Sequence, residues 1–109
     1  MGEYRLTRNP SFGIEVVDDD EALIVRVKGE LDLATSPLLD ERLKLAEAAD
    51  AAKLLVDVDQ VEFMDSTGLH VLLEHVLLGN GTRYSVTRGS PQVRQLFEVA
   101  GVADRLPFA

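Results

Sequence analysis

Residues 63–70, FMDSTGLH, place a carboxylate, two adjacent hydroxyls and a glycine between an apolar pair and the start of an apolar helical pattern. A side-chain oxygen at a helix start accepts a hydrogen bond from a backbone amide that otherwise has no partner. Asp65 and Ser66 both suit this capping role, so the segment carries one hydroxyl more than a helix start requires. Gly68 costs about 1 kcal/mol against alanine in a helix and leaves the backbone uncovered, which permits close approach by another molecule.

A second group with chemical potential is the aspartate pair in VDVD, residues 56–59, which superficially resembles a magnesium site at a strand end. Asp57 falls inside the predicted strand, and no lysine or threonine motif supports phosphoryl transfer, so a strand leading into a polar turn is favoured. A magnesium phosphotransferase that uses Asp57 and Asp59 remains the weaker alternative. The acidic run 18–21 is predicted to splay outward in a turn and therefore makes a poor metal site.

The two histidines do not form a metal-binding pair. His70 and His75 are five residues apart, about 500° around a helix, whereas helical ligand pairs lie four apart on one face. His70 is expected to pair with Glu74 at the surface, one turn further on. The glycines of GNGT, 79–82, follow a predicted helix and so do not form a phosphate-binding loop. We therefore predict no metal, no cofactor and no enzymatic activity.

Composition narrows the class of protein further. The 109 residues are 46% hydrophobic, a length and content that suit one domain over 1–109. The chain carries 19 acidic against 11 basic side chains, and this acidic excess disfavours direct nucleic-acid binding. Residues 1–11 are polar and are expected to form a poorly ordered or edge lead-in. The chain has no cysteine and no apolar run of roughly 20 residues, so we expect no disulfide, no membrane span and a cytoplasmic location.

Alternating and continuous apolar runs predict the strands that position these groups. A hairpin is expected around the acidic turn, followed later in the chain by a strand buried on both faces, KLLVDVD. A further strand is predicted at RYSVT, and the C-terminal residues 106–108 can add a short edge strand. The predicted strands cover residues 12–17, 22–29, 53–59, 83–87 and, at the edge, 106–108.

Three segments with helical periodicity separate these strands. In the first, Ser36 is expected to cap and Pro37 to occupy the first helical position. The second begins near Ser66, and the third begins at SPQ, 90–92, and ends at Gly101. The predicted buried stripes are Leu39, Leu43 and Ala46, widened by Leu38 and Leu45, in the first; Leu69, Leu72, Leu73, Val76 and Leu77 in the second; and Val93, Leu96, Phe97 and Ala100 in the third.

The predicted order of elements is β-β-α-β-α-β-α, an α/β fold with a mixed sheet of four to five strands and helices packed against it. The strand, helix, strand succession in the middle of the chain implies a parallel crossover.

Three segments resemble the STAS domain of bacterial anti-sigma factor antagonists, which control alternative sigma factors in the stress response. They are GELD (29–32), FMDSTGL (63–69) and SPQVRQLFEVAGV (90–102), in the family's order and spacing. The resemblance covers roughly residues 12–108 and implies the STAS fold. In that family the serine after the aspartate is phosphorylated, which implies Ser66 as phosphate acceptor and Thr67 as a minor one.

The resemblance also implies a function in partner switching. The unphosphorylated protein would bind an anti-sigma factor of the GHKL-type serine kinase class and free a sigma factor; phosphorylation of Ser66 would end binding, and a PP2C-type phosphatase would reset it. The alternative is a STAS scaffold or small-molecule sensor without phosphorylation, and either form is expected to be a monomer or weak homodimer. Partner contact is implied for Asp32, Met64, Asp65, Thr67, Gly68, Leu69, Ser90 and Arg94.

Overall fold

The computed structural model describes residues 12–49, 51–79 and 83–109, so the predicted lead-in 1–11 lies outside the described residues. Within these ranges, four strands form one sheet in the order β1-β2-β3-β4, and the predicted α/β order of elements is confirmed. The second helix continues into a π-helix. The elements are β1 (Gly13–Asp19), β2 (Ala22–Leu31), α1 (Ser36–Ala48), β3 (Lys53–Met64), α2 (Ser66–Leu73), the π-helix (Glu74–Gly79), β4 (Tyr84–Val86) and α3 (Pro91–Val99).

The predicted hairpin is confirmed, because β1 pairs antiparallel with β2 from Gly13↔Lys28 to Asp19↔Ala22. Asp20 closes the short turn with a φ of 56°, a left-handed conformation that aspartate tolerates better than most residues. β3 then pairs parallel with both β2 and β4, so the predicted crossover is also confirmed.

The hydrophobic core lies on one face of the sheet. Alternate residues of β3, among them Leu54 and Val56, join one buried cluster with side chains of all three helices, such as Leu39, Leu72 and Phe97. The prediction that KLLVDVD is buried on both faces is wrong, because Leu55 and Asp57, which alternate with the buried residues, are only partly covered. The opposite face instead carries polar pairs such as Arg26 and Asp57.

Helix α1 buries Leu39, Leu43 and Ala46 as predicted. Leu38 and Leu45 are exposed, so the predicted wider stripe is wrong. The Ser36 cap is also wrong: the helix begins at Ser36, after Thr35, without a side-chain capping bond. Both hydroxyls are used by the preceding turn, since Thr35 donates to the Glu30 carbonyl at 2.7 Å and Ser36 to the Asp32 carbonyl at 2.5 Å.

The apolar stripe of the second helix follows the predicted pattern, with Leu73 and Leu77 partly buried against the core. Leu69, Leu72 and Val76 are buried, and the helix reaches Gly79; residues 80–82 of the GNGT break lie outside the described residues.

Helix α3 buries Val93 and Phe97, but Ala100 is exposed because it stands at the C-terminal end of the helix. Gly101 then takes a φ of 76°, as a helix-ending glycine does. The predicted edge strand is reduced to one parallel bridge, Val86↔Phe108. None of the helices in the described ranges combines the length and apolar content that crossing a bilayer requires.

Candidate functional site

The start of α2 is organised by Asp65, which lies between β3 and the helix. Its Oδ1 accepts hydrogen bonds from the backbone amides of Thr67 at 2.9 Å and Gly68 at 3.1 Å. The Thr67 hydroxyl also donates to this oxygen. The Asp65 amide in turn donates to the Leu31 carbonyl at 3.1 Å, which ties the helix start to β2. Of the two predicted candidates for the cap, the structure therefore selects Asp65.

Ser66 is the first residue of α2 and is exposed. Within the described part of the chain, its hydroxyl has no hydrogen-bond partner. The neighbouring Thr67 differs, because it is partly buried and its hydroxyl is engaged by Asp65 and lies 3.4 Å from the Ser36 hydroxyl. Ser66 thus carries the accessible, uncommitted hydroxyl of this segment.

Gly68 fits a close approach between α2 and β2. It is buried, and a Cβ at this position would lie 2.7 Å from Leu31 Cγ and 2.9 Å from the Leu31 carbonyl oxygen. The prediction that Gly68 leaves the backbone uncovered for another molecule is therefore wrong. The glycine is required by packing within the domain.

The predicted contact residues fall into exposed and buried groups. Asp32 and Asp65 follow the carboxyl ends of the adjacent parallel strands β2 and β3, where Leu31 pairs with Met64, so the two aspartates lie at one edge of the sheet. Met64 and Leu69 are buried together with Gly68, and none of the three presents a side chain at the surface. A partner can reach them only through the residues that cover them.

Ser90 and Arg94 position the start of α3 near this edge. Ser90 accepts from the Val93 amide as N-cap and donates to the Val61 carbonyl at 2.8 Å, so it has a structural role in the fold. The exposed Arg94 donates from Nε to the Gly89 carbonyl at 2.9 Å. Gln92, which was not predicted, accepts from the Met64 amide at 3.0 Å and joins α3 to the end of β3.

Two large apolar residues at the surface were missed by the sequence analysis. Leu33 is 74% exposed and shares a groove with Ser66, and Phe63 is 43% exposed. Because Leu33 shares this groove, it adds exposed apolar area next to the Ser66 hydroxyl. Phe63 and Leu33 each lie two residues or fewer from a buried core residue in the sequence. Their hydrophobicity alone therefore does not distinguish them from core residues.

The alternative metal site at Asp57 and Asp59 is occupied by contacts within the protein. Asp57 accepts from Arg26 Nε at 3.1 Å, and Asp59 accepts from the Gly89 amide at 3.0 Å. In residues 12–49, 51–79 and 83–109, no group of three or more candidate ligands is arranged around a metal position. Asp57 therefore makes a contact across the sheet, and Asp59 holds the loop before α3.

His75 lies between two carboxylates of α1 and is 8% exposed. Its Nδ1 is 2.7 Å from Glu47 Oε2, and its Nε2 is 2.7 Å from Asp40 Oδ1. Burial alone lowers the pKa of His75, but the hydrogen bonds that its ring makes to Asp40 and Glu47 outweigh burial, and the pKa is raised. Hydrogen bonds from His75 and Lys44 lower the pKa of Asp40. His70, by contrast, is exposed and pairs with Glu74 at 3.5 Å, as predicted.

Comparison with known proteins identifies the domain. The family model described as STAS domain matches residues 13–109. The chain belongs to the STAS domain family. The three motifs on which the resemblance was based, including the one with Ser66, lie within this STAS domain.

Named relatives of this STAS domain are anti-sigma factor antagonists. It is 31% identical over 96 residues to an anti-sigma-B factor antagonist of Staphylococcus aureus (strain NCTC 8325 / PS 47), covering 86% of this chain and 89% of the relative. An anti-sigma factor antagonist from Mycobacterium paratuberculosis has 30% identity and a TM-score of 0.79, over 90% and 85% of the two chains. The phosphorylated form of the Bacillus cell fate determinant SpoIIAA, at 22% identity, shares the fold with a TM-score of 0.64 over 91% of each chain.

The capping geometry makes a prediction about the stability of this STAS domain. Replacing Asp65 with Ala removes the acceptor of two amides and should lower the free energy of unfolding by about 1 kcal/mol. Asp65→Asn should retain most of that stability, because asparagine caps equally well. Ser66→Ala should change it by no more than about 0.5 kcal/mol. Urea unfolding measures all three; an equal loss for Asp65→Ala and Ser66→Ala would contradict the assignment of the cap.

The His75 cluster makes the stability of the STAS domain depend on pH. Because the pKa of His75 is raised in the folded protein, its stabilising effect is complete below the ordinary value of 6.5 and is lost as pH rises through the folded value. The lowered pKa of Asp40 gives stability that is present above 3.8 and is lost as pH falls. The free energy of unfolding should therefore decline on the alkaline side in wild type and more weakly in His75→Gln. Identical alkaline slopes would exclude this role.

Proposed function

We propose that this STAS domain is an anti-sigma factor antagonist controlled by phosphorylation of Ser66. In the unmodified state it binds an anti-sigma factor of the GHKL-type serine kinase class and thereby frees a sigma factor. The observation that carries the proposal is the exposed Ser66 hydroxyl, which has no partner among the described residues because Asp65 already caps the helix. The names of the relatives support the antagonist role.

The local chemistry favours Ser66 over Thr67 as the acceptor. In the transfer, the Ser66 oxygen forms a bond to the γ-phosphorus of ATP, the bond to ADP breaks, and the hydroxyl proton passes to a base of the kinase. The Thr67 hydroxyl is partly buried and bonded to the Asp65 carboxylate, so it must leave that bond before it can react. Thr67 is therefore at most a minor acceptor. The phosphorylated form of Bacillus SpoIIAA supports the chemistry on this fold.

A phosphate on Ser66 is expected to project from the surface. Phosphoserine carries a charge of about −1.5 to −2 at neutral pH and is stabilised at a helix start only where amides are free. Here the amides of Thr67 and Gly68 already donate to Asp65, whose carboxylate also repels the new charge. The phosphate therefore acts mainly on the partner and leaves the fold intact.

The surface around Ser66 can convert this charge into release of the partner. Reversing a 99:1 bound population to 1:99 requires about 5.5 kcal/mol, more than an exposed charge supplies in water. Leu33, which shares the groove with Ser66, and Phe63, three residues before Ser66 in the chain, provide exposed apolar area that a partner would cover, and a phosphate in such a desolvated contact is strongly unfavourable. We therefore propose Leu33 and Phe63 as contact residues, together with Asp32, Asp65, Thr67 and Arg94.

The remaining parts of the proposal concern the cellular setting. We propose a cytoplasmic regulator without enzymatic activity of its own, reset by a PP2C-type phosphatase. In this scheme the kinase supplies catalysis and the STAS domain supplies the substrate serine and the contact surface.

Intact mass tests the proposal directly. After incubation with the host's GHKL-type anti-sigma kinase and Mg-ATP, the protein should gain the mass of one phosphate, located at Ser66 by peptide sequencing. Stable kinase binding without any mass gain would instead favour the scaffold or sensor function. Metal-dependent turnover by the isolated protein would favour the phosphotransferase that uses Asp57 and Asp59.

A further inference from the structure

A groove of about 990 Å³ lies between α1 and the continuous helix formed by α2 and the π-helix. Ser66 and Thr67 line it at one end, where the Thr67 hydroxyl is 3.4 Å from that of Ser36. Glu47 and His75 line it at the other end. The two walls of the groove are thus joined by a long hydroxyl contact beside Ser66 and by the His75 cluster further along.

We propose that His75 is a positioning residue for the groove beside Ser66, and that it acts as an imidazolium which joins the π-helix to α1 through Asp40 and Glu47. Loss of its proton would separate or rotate the two walls and change the surface that a partner meets at Ser66. The relevance of this to phosphorylation rests on the proposed function. The coupling itself is a property of the isolated domain.

The requirement for a charged ring follows from the hydrogen-bond geometry. Both ring nitrogens lie 2.7 Å from carboxylate oxygens, which only accept, so both nitrogens must carry a proton. A neutral imidazole has one N–H and one lone pair, so one of the two carboxylates would face a lone pair at the same distance. The His75 ring is nearly closed to solvent, so water does not readily reach the nitrogen that has lost its partner, although Asp40 and Glu47 are partly exposed to the groove.

Neighbouring groups hold the carboxylates in place rather than compensate for a neutral ring. Glu47 Oε2 also accepts from the Tyr84 hydroxyl of β4 at 2.6 Å, and Asp40 pairs with Lys44 at 3.1 Å on α1. Arg83, which precedes β4, is bonded to backbone carbonyls including that of Glu47. The titratable neighbours on the histidine's own helix are Glu74 and its partner His70. We therefore expect the π-helix that carries His75 to move on deprotonation; π-helical turns are frequent at functional sites.

The coupling is testable by NMR titration of the full chain without any partner. Between pH 5 and pH 10, the His75 ring and the backbone amides of Thr67 and Gly68 should show one common transition in wild type. The transition should vanish from both amides in His75→Gln and persist in His70→Gln, which removes the exposed histidine of the same helix. Amides of Thr67 and Gly68 that stay constant while His75 titrates would overturn the proposal.

A second variant keeps the test decisive if His75→Gln does not fold. Asp40→Asn retains the histidine but removes one carboxylate, so the common midpoint of His75, Thr67 and Gly68 should move to lower pH by about 1 unit or more. A shift of the His75 midpoint without a matching shift of the two amides would also overturn the coupling. None of these measurements involves phosphate transfer, so they stand even if Ser66 proves not to be a phosphate acceptor.

Discussion

Replacing Ser66 with Ala should abolish ATP-dependent phosphate incorporation by the anti-sigma kinase while leaving binding to the unphosphorylated surface intact. The expected loss is essentially complete, because the other hydroxyl of the segment, on Thr67, is held by the Asp65 carboxylate. Folding should be unaffected, since the Ser66 side chain is exposed and does not cap the helix. Mass spectrometry after incubation with the kinase and Mg-ATP measures the incorporation.

Thr67→Val is the matched control for this variant. It removes the adjacent hydroxyl at nearly the same volume and should still take up one phosphate at Ser66, although more slowly where the proposed Thr67 contact with the kinase is lost. In a pull-down from host lysate, wild type and Ser66→Ala should both enrich the kinase, and only wild type should release it when ATP is added. Undiminished phosphate incorporation into Ser66→Ala at sites other than Thr67 would count decisively against Ser66 as the acceptor.

Replacing Gly68 with Ala should destabilise the domain, although alanine is favoured over glycine within a helix by about 1 kcal/mol. The added Cβ would meet Leu31 Cγ at 2.7 Å and the Leu31 carbonyl oxygen at 2.9 Å. Strand backbone cannot move aside cheaply, so overpacking should reduce the free energy of unfolding by about 1–3 kcal/mol. Because the helix must move away from Leu31, the start of α2, which carries Ser66, should be displaced. Partner binding should therefore weaken as well.

Gly13→Ala is the control for the Gly68 substitution. Its Cβ would meet only the flexible side chain of Lys28, at 3.4 Å and beyond, so its effect on urea unfolding should be small. A Gly68→Ala variant as stable as wild type, or more stable, would show that α2 and β2 are not in tight contact at Gly68.

Elements with strong local periodicity were predictable from the sequence. The hairpin with its acidic turn, the parallel crossover and the buried face of α1 depend on spacing within short windows, and the structure confirms them. The exposure of Phe63 was not predictable in this way. The pairing of β2 with β3 shifts register between Arg26 and Lys28 and again between Gly29 and Glu30. These shifts interrupt the simple alternation of buried and exposed side chains along β3 before Phe63 and the buried Met64.

Side-chain roles that depend on distant partners were the hardest to infer. Aspartate and serine cap helices about equally well, so the choice of Asp65 over Ser66 needed the tertiary structure. The sequence predicts partner access at Gly68 because it does not show that Leu31 lies against this glycine. The His75 cluster joins residues 28 and 35 positions apart, and no local pattern brings Glu47 or Asp40 to that histidine.

The most direct test of the central claim is the affinity of the anti-sigma kinase for the unmodified and the Ser66-phosphorylated protein, measured by calorimetry without ATP. The phosphorylated form should bind about 10⁴-fold more weakly, which corresponds to about 5.5 kcal/mol, while its free energy of unfolding stays close to that of the unmodified form. Equal affinities for the two forms would contradict a switch at Ser66.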